Sequence, residues 1–371
     1  MTDTAHDSCD DPSPVCSYTE WDPLEEIIVG RLDGAVLPSS HIAVTYRFPP
    51  VRRLLYRVAA GHRYPGLLVR PARRQLDEFM RILEEEGVTV RQPDAVRWRT
   101  VFKTPLWRSR GFCSACPRDG FLVVGNEIIE SPMAWRTRHF EGLAYRRLFQ
   151  MYFDRGAHWT AAPRPELADA LYDRHYRPPP AGRPQRYVIN ESEPVFDAAD
   201  LTRCGRDLFV QRSNVTNAKG IDWLRGHLGD TYRIHEVETT CPNPMHIDST
   251  FVPLAPGKLM INPAWMRSES LPPLFKSWEV RTAPDPDPLP RGALDLVRWT
   301  SMVSKWINLN VLMLDERRVI VEETQGSMIR FLRDWGFETI PCAFMHYTPF
   351  GGSFHCATLD VRRRGELQSY F

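Results

Sequence analysis

The chain has 371 residues, of which 43% are apolar and 25% charged, with 47 Lys plus Arg against 46 Asp plus Glu. These are the proportions of a globular protein with a sizeable core, and they exclude collagen, extended disorder and a membrane-spanning run. The net charge is +1 and the arginines are scattered, apart from Arg362, Arg363 and Arg364, so there is no concentrated basic field and neither a nucleic acid nor a membrane is expected as a partner.

Residues 1–16 are polar and acidic and lack the apolar stretch of a secretory signal; they read as a disordered tail on a cytoplasmic protein. Without a signal, the eight cysteines read as free thiols, and the lone pair Cys113 and Cys116 lacks the second ligand pair that zinc needs. Residues 73–86 place Leu76, Phe79, Met80 and Leu83 on one helical face, followed by Gly87 and a strand at 88–90. A hairpin at 120–130 turns at Gly125-Asn126. The Pro-rich stretch 162–184 reads as a surface excursion within one domain, 17–371. A helix carrying Ile221, Leu224 and Leu228 ends at Gly229 before a strand at 232–234. Hairpins at 250–262 and 310–323 turn at Pro256-Gly257 and near Asp315, and the second leads to a helix with Met328, Leu332 and Trp335, then Gly336 and a strand at 337–340. The recurring unit is hairpin, helix, strand. One such unit cannot bury both its sheet and its helix, so the copies must stack or close around an axis.

Three turn-rich segments carry reactive side chains: FDAAD (196–200), NPMHID (243–248) and GGSFHC (351–356). A cysteine with a distant histidine and acid is the minimum equipment for thiol catalysis, but eight cysteines and eleven histidines leave many combinations. The blocks around these segments, SYTEWDPLEEIIVGR (17–31), CPRDGFLVVGNEIIESPMAWRTRHFEGLAYR (116–146), EPVFDAADLTRCGRDLFVQRSNVTN (193–217), NPMHIDSTFVPLAPG (243–257), SKWINLNVLMLDE (304–316) and GGSFHCATLDVRRRGELQSY (351–370), closely resemble the arginine:glycine amidinotransferase family, which includes the inosamine-phosphate amidinotransferases of streptomycin-type antibiotic pathways. The resemblance implies a five-bladed α/β-propeller, or pentein fold, of ββαβ units around a pseudo-fivefold axis. It also implies a ping-pong transfer of an amidino group from a guanidine donor, L-arginine, to an acceptor amine through an amidino-cysteine. Residue by residue it makes Cys356 the nucleophile, His246 the general acid and base, Asp197 its orienting carboxylate, Asp119 and Asp248 the guanidinium-holding carboxylates, and Ser304 a substrate contact. A homodimer follows from the resemblance alone, and no metal or organic cofactor is implied.

The chemistry explains this set. A delocalised guanidinium carbon calls for a thiolate, whose pKa a nearby imidazolium would lower. Paired carboxylates suit the planar guanidinium. In two places the chain departs from the family pattern: NPAWMR puts Trp265 where an arginine meets the substrate carboxylate, with Arg267 two residues on, and Val303 precedes Ser304 in place of a serine. Either Arg267 replaces the lost contact, or Trp265 and Val303 reshape the pocket for another substrate. A natural-product amine is expected as acceptor. The rivals are a hydrolase of arginine-deiminase type, which lets water resolve the same intermediate, a transferase using a donor other than arginine, and a non-catalytic binding protein.

Overall fold

The apolar runs read as hairpins do pair as hairpins, and each lies in a three-stranded sheet. The computed structural model describes residues 13–45, 50–180, 183–290, 292–301 and 303–371. Among these, five sheets share one plan: two antiparallel strands, a crossover, and a third strand parallel to the second. In the second unit Phe121–Val124 pairs with Glu127–Glu130, helix Gly142–Asp154 crosses over, and His158–Ala161 adds in parallel. Gly125 holds φ of 57° at the hairpin turn, where a side chain would be strained. The third unit is Leu201–Cys204, Asp207–Val210, helix Ala218–Leu228 and Arg233–Glu236, and the fifth is Leu312–Met313, Arg318–Glu322, helix Gly326–Asp334 and Glu338–Cys342. The fourth, Phe251–Ala255, Lys258–Ile261 and Glu279–Thr282, crosses over through two 3₁₀ turns, Ser268–Ser270 and Pro273–Ser277, because Pro272 and Pro273 bar a continuous α-helix.

The first unit joins both ends of the chain. Leu24–Val29 pairs antiparallel with the last strand, Thr358–Arg363, and parallel with Thr89–Arg91 across helix Gly66–Glu85. That helix starts before the expected residue 73 despite Pro71 inside it, since Leu68 and Ala72 extend the buried stripe of Leu76, Phe79 and Leu83. Burying each large side chain contributes about 1.5–3 kcal/mol, which offsets the hydrogen bond that proline removes. The short segments ahead of the hairpins touch in order: Pro117–Gly120 meets Ala198–Asp200, which meets Ile247–Ser249, which meets Lys305–Leu309. Asn310 then bonds Cys356 of the first unit, and Pro117–Gly120 touches the strand after Cys356. This succession is the cyclic order of the expected α/β pentein fold.

Two expectations need correction. Of the predicted tail, 1–12 lie outside the described residues, but Val15 is wholly buried and Cys16 N–H bonds Val361 O at 3.0 Å, so this stretch is tied to the last strand. Cys16 is disulfide-bonded, whereas Cys113, Cys116, Cys204, Cys342 and Cys356 are thiols. The excursion 162–184 is mostly exposed, and Leu167, Leu171, Tyr172 and Tyr176 pin it by joining Val188, Val195 and Val215 in one apolar cluster. Arg363, in the terminal arginine run, is fully buried and bonds Asp360, Asp22 O and Met313 O.

Candidate active site

The segment just ahead of each unit's first strand faces one cavity of about 100 Å³, and Asp119, Asp197, His246, Asp248, Trp265, Val303, Ser304 and Cys356 all line it. Asp119 and Cys356 each stand two residues before a first strand, Phe121–Val124 and Thr358–Arg363. One repeat geometry thus brings together side chains up to 237 positions apart.

Cys356 lies in the turn after Gly351-Gly352, 3% exposed. Gly351 has φ of 121°, and a Cβ on Gly352 would lie 2.7 Å from the Cys356 Sγ. The thiol donates to Asp248 Oδ2 at 3.2 Å and accepts from Asn310 Nδ2 at 3.2 Å. Reactive atoms of Cys356, His246 and Asp119 lie within 4.8 Å of one another.

His246 adopts φ of 60°, a left-handed backbone that costs a non-glycine residue of order 1 kcal/mol and aims the ring into the cavity. Its Nε2 bonds Asp197 Oδ2 at 3.1 Å and its Nδ1 lies 3.5 Å from Asp119 Oδ1. Burial alone would disfavour the imidazolium, but Asp119, Asp197 and Asp200 outweigh it and push the pKa up to about 10. The ring is therefore a cation at neutral pH, donating through Nε2 to Asp197 and facing Asp119 across Nδ1 as an ion pair without a hydrogen bond.

The acids are held from behind. Arg138 binds Asp119 Oδ2 and, through Nε and Nη2, Glu141; Arg118, a candidate partner by sequence adjacency, pairs with Asp360 instead. Asp200 accepts from Ser213, Thr216 and Gln211, and Thr216 Oγ1 accepts from Asp197 N–H. His355 bridges Asp248 Oδ2 (3.0 Å) to Glu20 Oε2 (3.2 Å), and Glu20 joins a buried network of Arg203, Asp360, Arg118 and Arg363. His355 itself is not among the residues lining the cavity. Asp119 Oδ1 and Asp197 Oδ1 are buried with no hydrogen-bond partner, which makes them acceptors for a planar cation in the cavity.

The thiol departs from expectation. Burial, then Asp248 and Asp119, drive the Cys356 pKa well above its ordinary value, so the sulfur is a neutral thiol beside an imidazolium. The imidazolium does not ionise the sulfur here because its charge is shared between Asp119 and Asp197. Ser304 Oγ accepts from Trp306 N–H and caps a 3₁₀ turn while lining the cavity; Arg267 is exposed and is not among the lining residues. Sequence reasoning missed Asn310, Arg138, Glu141 and Asp200. Asn310 was findable, since it stands two residues before the first strand of its unit, as Cys356 and Asp119 do.

No family model matches the chain. The chain is 51% identical over 358 residues to the L-arginine:L-lysine amidinotransferase of Pseudomonas savastanoi pv. phaseolicola, covering 96% of this chain and 97% of that one. Among solved structures it is similar to SxtG, an amidinotransferase from Microseira wollei in the saxitoxin biosynthetic pathway, with a TM-score of 0.91 and 53% identity over 96% of this chain and 100% of the other. It is also similar to the inosamine-phosphate amidinotransferase STRB1 from Streptomyces griseus, with a TM-score of 0.85 and 36% identity over 96% and 99%. Identity this high across almost the whole length, joined to a thiol, an imidazolium and paired carboxylates in one cavity, places the chain in the amidinotransferase family.

Proposed function

We propose that the enzyme takes the amidino group of L-arginine onto Cys356 and delivers it to the amine of a natural-product precursor. The observation that carries this reading is the cavity itself: the Cys356 thiol, one imidazolium, and two buried carboxylate oxygens that lack hydrogen-bond partners. A guanidinium between Asp119 and Asp248 compensates the two charges that hold the thiol neutral, so the bound cation itself promotes ionisation of the sulfur, whose proton is released to solvent as the cation binds because His246 is already protonated. The thiolate attacks the guanidinium carbon while His246 gives its proton to the departing nitrogen, and ornithine leaves as a neutral amine. The amidino group stays on sulfur as a cationic isothiouronium. An incoming amine then attacks the same carbon, His246 removes its proton, and the sulfur departs as thiolate. Asp197 keeps the imidazole oriented for both transfers.

The L-arginine:L-lysine amidinotransferase supports arginine as donor, and the saxitoxin-pathway and inosamine-phosphate enzymes support a natural-product amine as acceptor. Trp265 and Val303 line the cavity and Arg267 does not, which favours a reshaped acceptor pocket over a substituted carboxylate contact. Among the described lining residues Arg138 is the one arginine or lysine, and Asp119 and Glu141 already engage it. A homodimer completes the proposal and rests on the family resemblance; light scattering tests it. No helix among the described residues is long and apolar enough to cross a membrane.

The deciding experiment follows ornithine from arginine by mass spectrometry across a panel of amines that includes lysine, glycine and aminocyclitols. Ornithine release that requires an amine other than glycine is expected. Steady citrulline and ammonia from arginine alone would make the enzyme a hydrolase, and turnover with glycine alone would overturn the acceptor assignment.

A further inference from the structure

The surroundings of Cys356 Sγ are poorly suited to an anion. Asp248 Oδ2 is 3.2 Å away, an Asp119 oxygen lies within 4.8 Å, and the Cys116 thiol borders the same glycine turn. The His246 cation is engaged by Asp119 and Asp197, and His355 by Asp248 and Glu20. One neutral donor reaches the sulfur: Asn310 Nδ2, at 3.2 Å. The orientation of this amide is fixed by chemistry. Cys356 N–H, 3.1 Å from the other amide atom, can only donate, so that atom is Oδ1 and the NH₂ group faces sulfur. Asn310 is 1% exposed and directly follows the 3₁₀ turn Lys305–Leu309, so no bulk water competes for the bond.

We infer that Asn310 is a catalytic residue that pins the main chain of Cys356 through Oδ1 and stabilises the thiolate through Nδ2. A hydrogen bond to a neutral thiol is weak and becomes charge-assisted when the sulfur ionises. It therefore favours the thiolate over the thiol on the way into the first half-reaction, and it favours departure of the sulfur in the second. Asn310 does not line the cavity, so it acts on the nucleophile and leaves the guanidinium grip alone.

The test separates pin from donor. Asn310→Asp keeps an oxygen for Cys356 N–H and loses the donor, whereas Asn310→Ala loses both. The first readout is the rate of Cys356 alkylation by iodoacetamide at a fixed, mildly alkaline pH, located by peptide mass spectrometry. It needs no amidino chemistry, so its outcome is independent of the proposed substrates. The second readout is kcat and KM for arginine. Both variants are expected to be alkylated about ten- to a hundredfold more slowly, with Asn310→Asp at least as slow as Asn310→Ala, and to lose kcat with KM for arginine unchanged. An Asn310→Asp enzyme with wild-type alkylation would reduce Asn310 to a structural pin and overturn the inference. Should that variant fail to fold, a folded Asn310→Ala enzyme alkylated at the wild-type rate does the same.

Discussion

Replacing Gly352 by alanine perturbs the nucleophile without touching its chemistry. An ideal Cβ at this position falls 2.2 Å from the Cys356 Cβ and 2.7 Å from its Sγ, with the Cys116 Sγ at 3.4 Å. Carbon atoms settle at about 3.5–4.0 Å, so the two chain segments must part by more than about 1 Å. The clash involves a Cβ that cannot rotate away, on a residue whose N–H is bound to Asn310 and whose neighbour Ala357 N–H bonds Ser353 O at 2.8 Å. Overpacking of this kind costs about 1–3 kcal/mol, or a fall in Tm of about 1–4 °C. A reacting atom displaced by about 1 Å loses roughly 10²-fold in rate. Gly352→Ala is therefore expected to cut ornithine release at saturating arginine and acceptor about 100-fold or more. Gly226→Ala, where a Cβ meets nothing within 4 Å, serves as control and should leave kcat unchanged. A Gly352→Ala enzyme with wild-type kcat and Tm would refute the close approach of this turn to the sulfur.

Asp197→Asn takes the charged partner from His246 Nε2, so the imidazole pKa falls from about 10 towards its ordinary range. The proton that ornithine needs on leaving is then lost at lower pH: kcat should drop about 10²-fold or more at mildly alkaline pH, and the alkaline limb of its pH profile should move down. In the wild type, stability contributed by the imidazolium is complete below the ordinary histidine pKa of about 6.5 and fades as pH rises towards the folded value, which urea titrations at neutral and alkaline pH would register as a falling midpoint. Asp248→Asn weakens the grip on the guanidinium, and the KM for arginine should rise about ten- to a hundredfold; an unchanged KM would assign Asp248 to the thiol alone. Asp360→Asn leaves the buried Arg118, Arg203 and Arg363 without their shared carboxylate and should cost about 3–5 kcal/mol in urea unfolding. Arg118, Arg203 and Arg363 hold Asp360 below the usual carboxylate range against the opposing effect of burial, so its contribution is present above about pH 4 and is lost as the solution is acidified below that.

Three of the hairpins, three crossover helices and the repeat were legible because a strand such as Phe121–Val124 lies wholly in the core and reads as an apolar run beside a glycine turn, whereas the hairpin of Leu201–Cys204 and Asp207–Val210 went unread. The first unit was not, because Leu24–Val29 finds its antiparallel partner at the far end of the chain, and local pattern carries no information about that pairing. Cys356, His246, Asp197, Asp119 and Asp248 were identified through the resemblance of long blocks, and the structure gathers them in one cavity. The imidazolium is as expected, and the departure lies in the ionisation of Cys356. A histidine near a cysteine suggests a thiolate, but the depth of burial and the two acids facing the sulfur exist only in three dimensions. Asn310 escaped notice since a single asparagine ahead of a strand is unremarkable until the five units are superposed by their first strands.

Covalent capture of the amidino group bears most directly on the chemistry at Cys356. Enzyme mixed with arginine in the absence of any acceptor, quenched in acid and digested, should carry one amidino group on the peptide that contains Cys356, with a burst of ornithine equal to the enzyme present and none from Cys356→Ala. Continued ornithine release with no mass added at Cys356 would contradict a sulfur-bound intermediate.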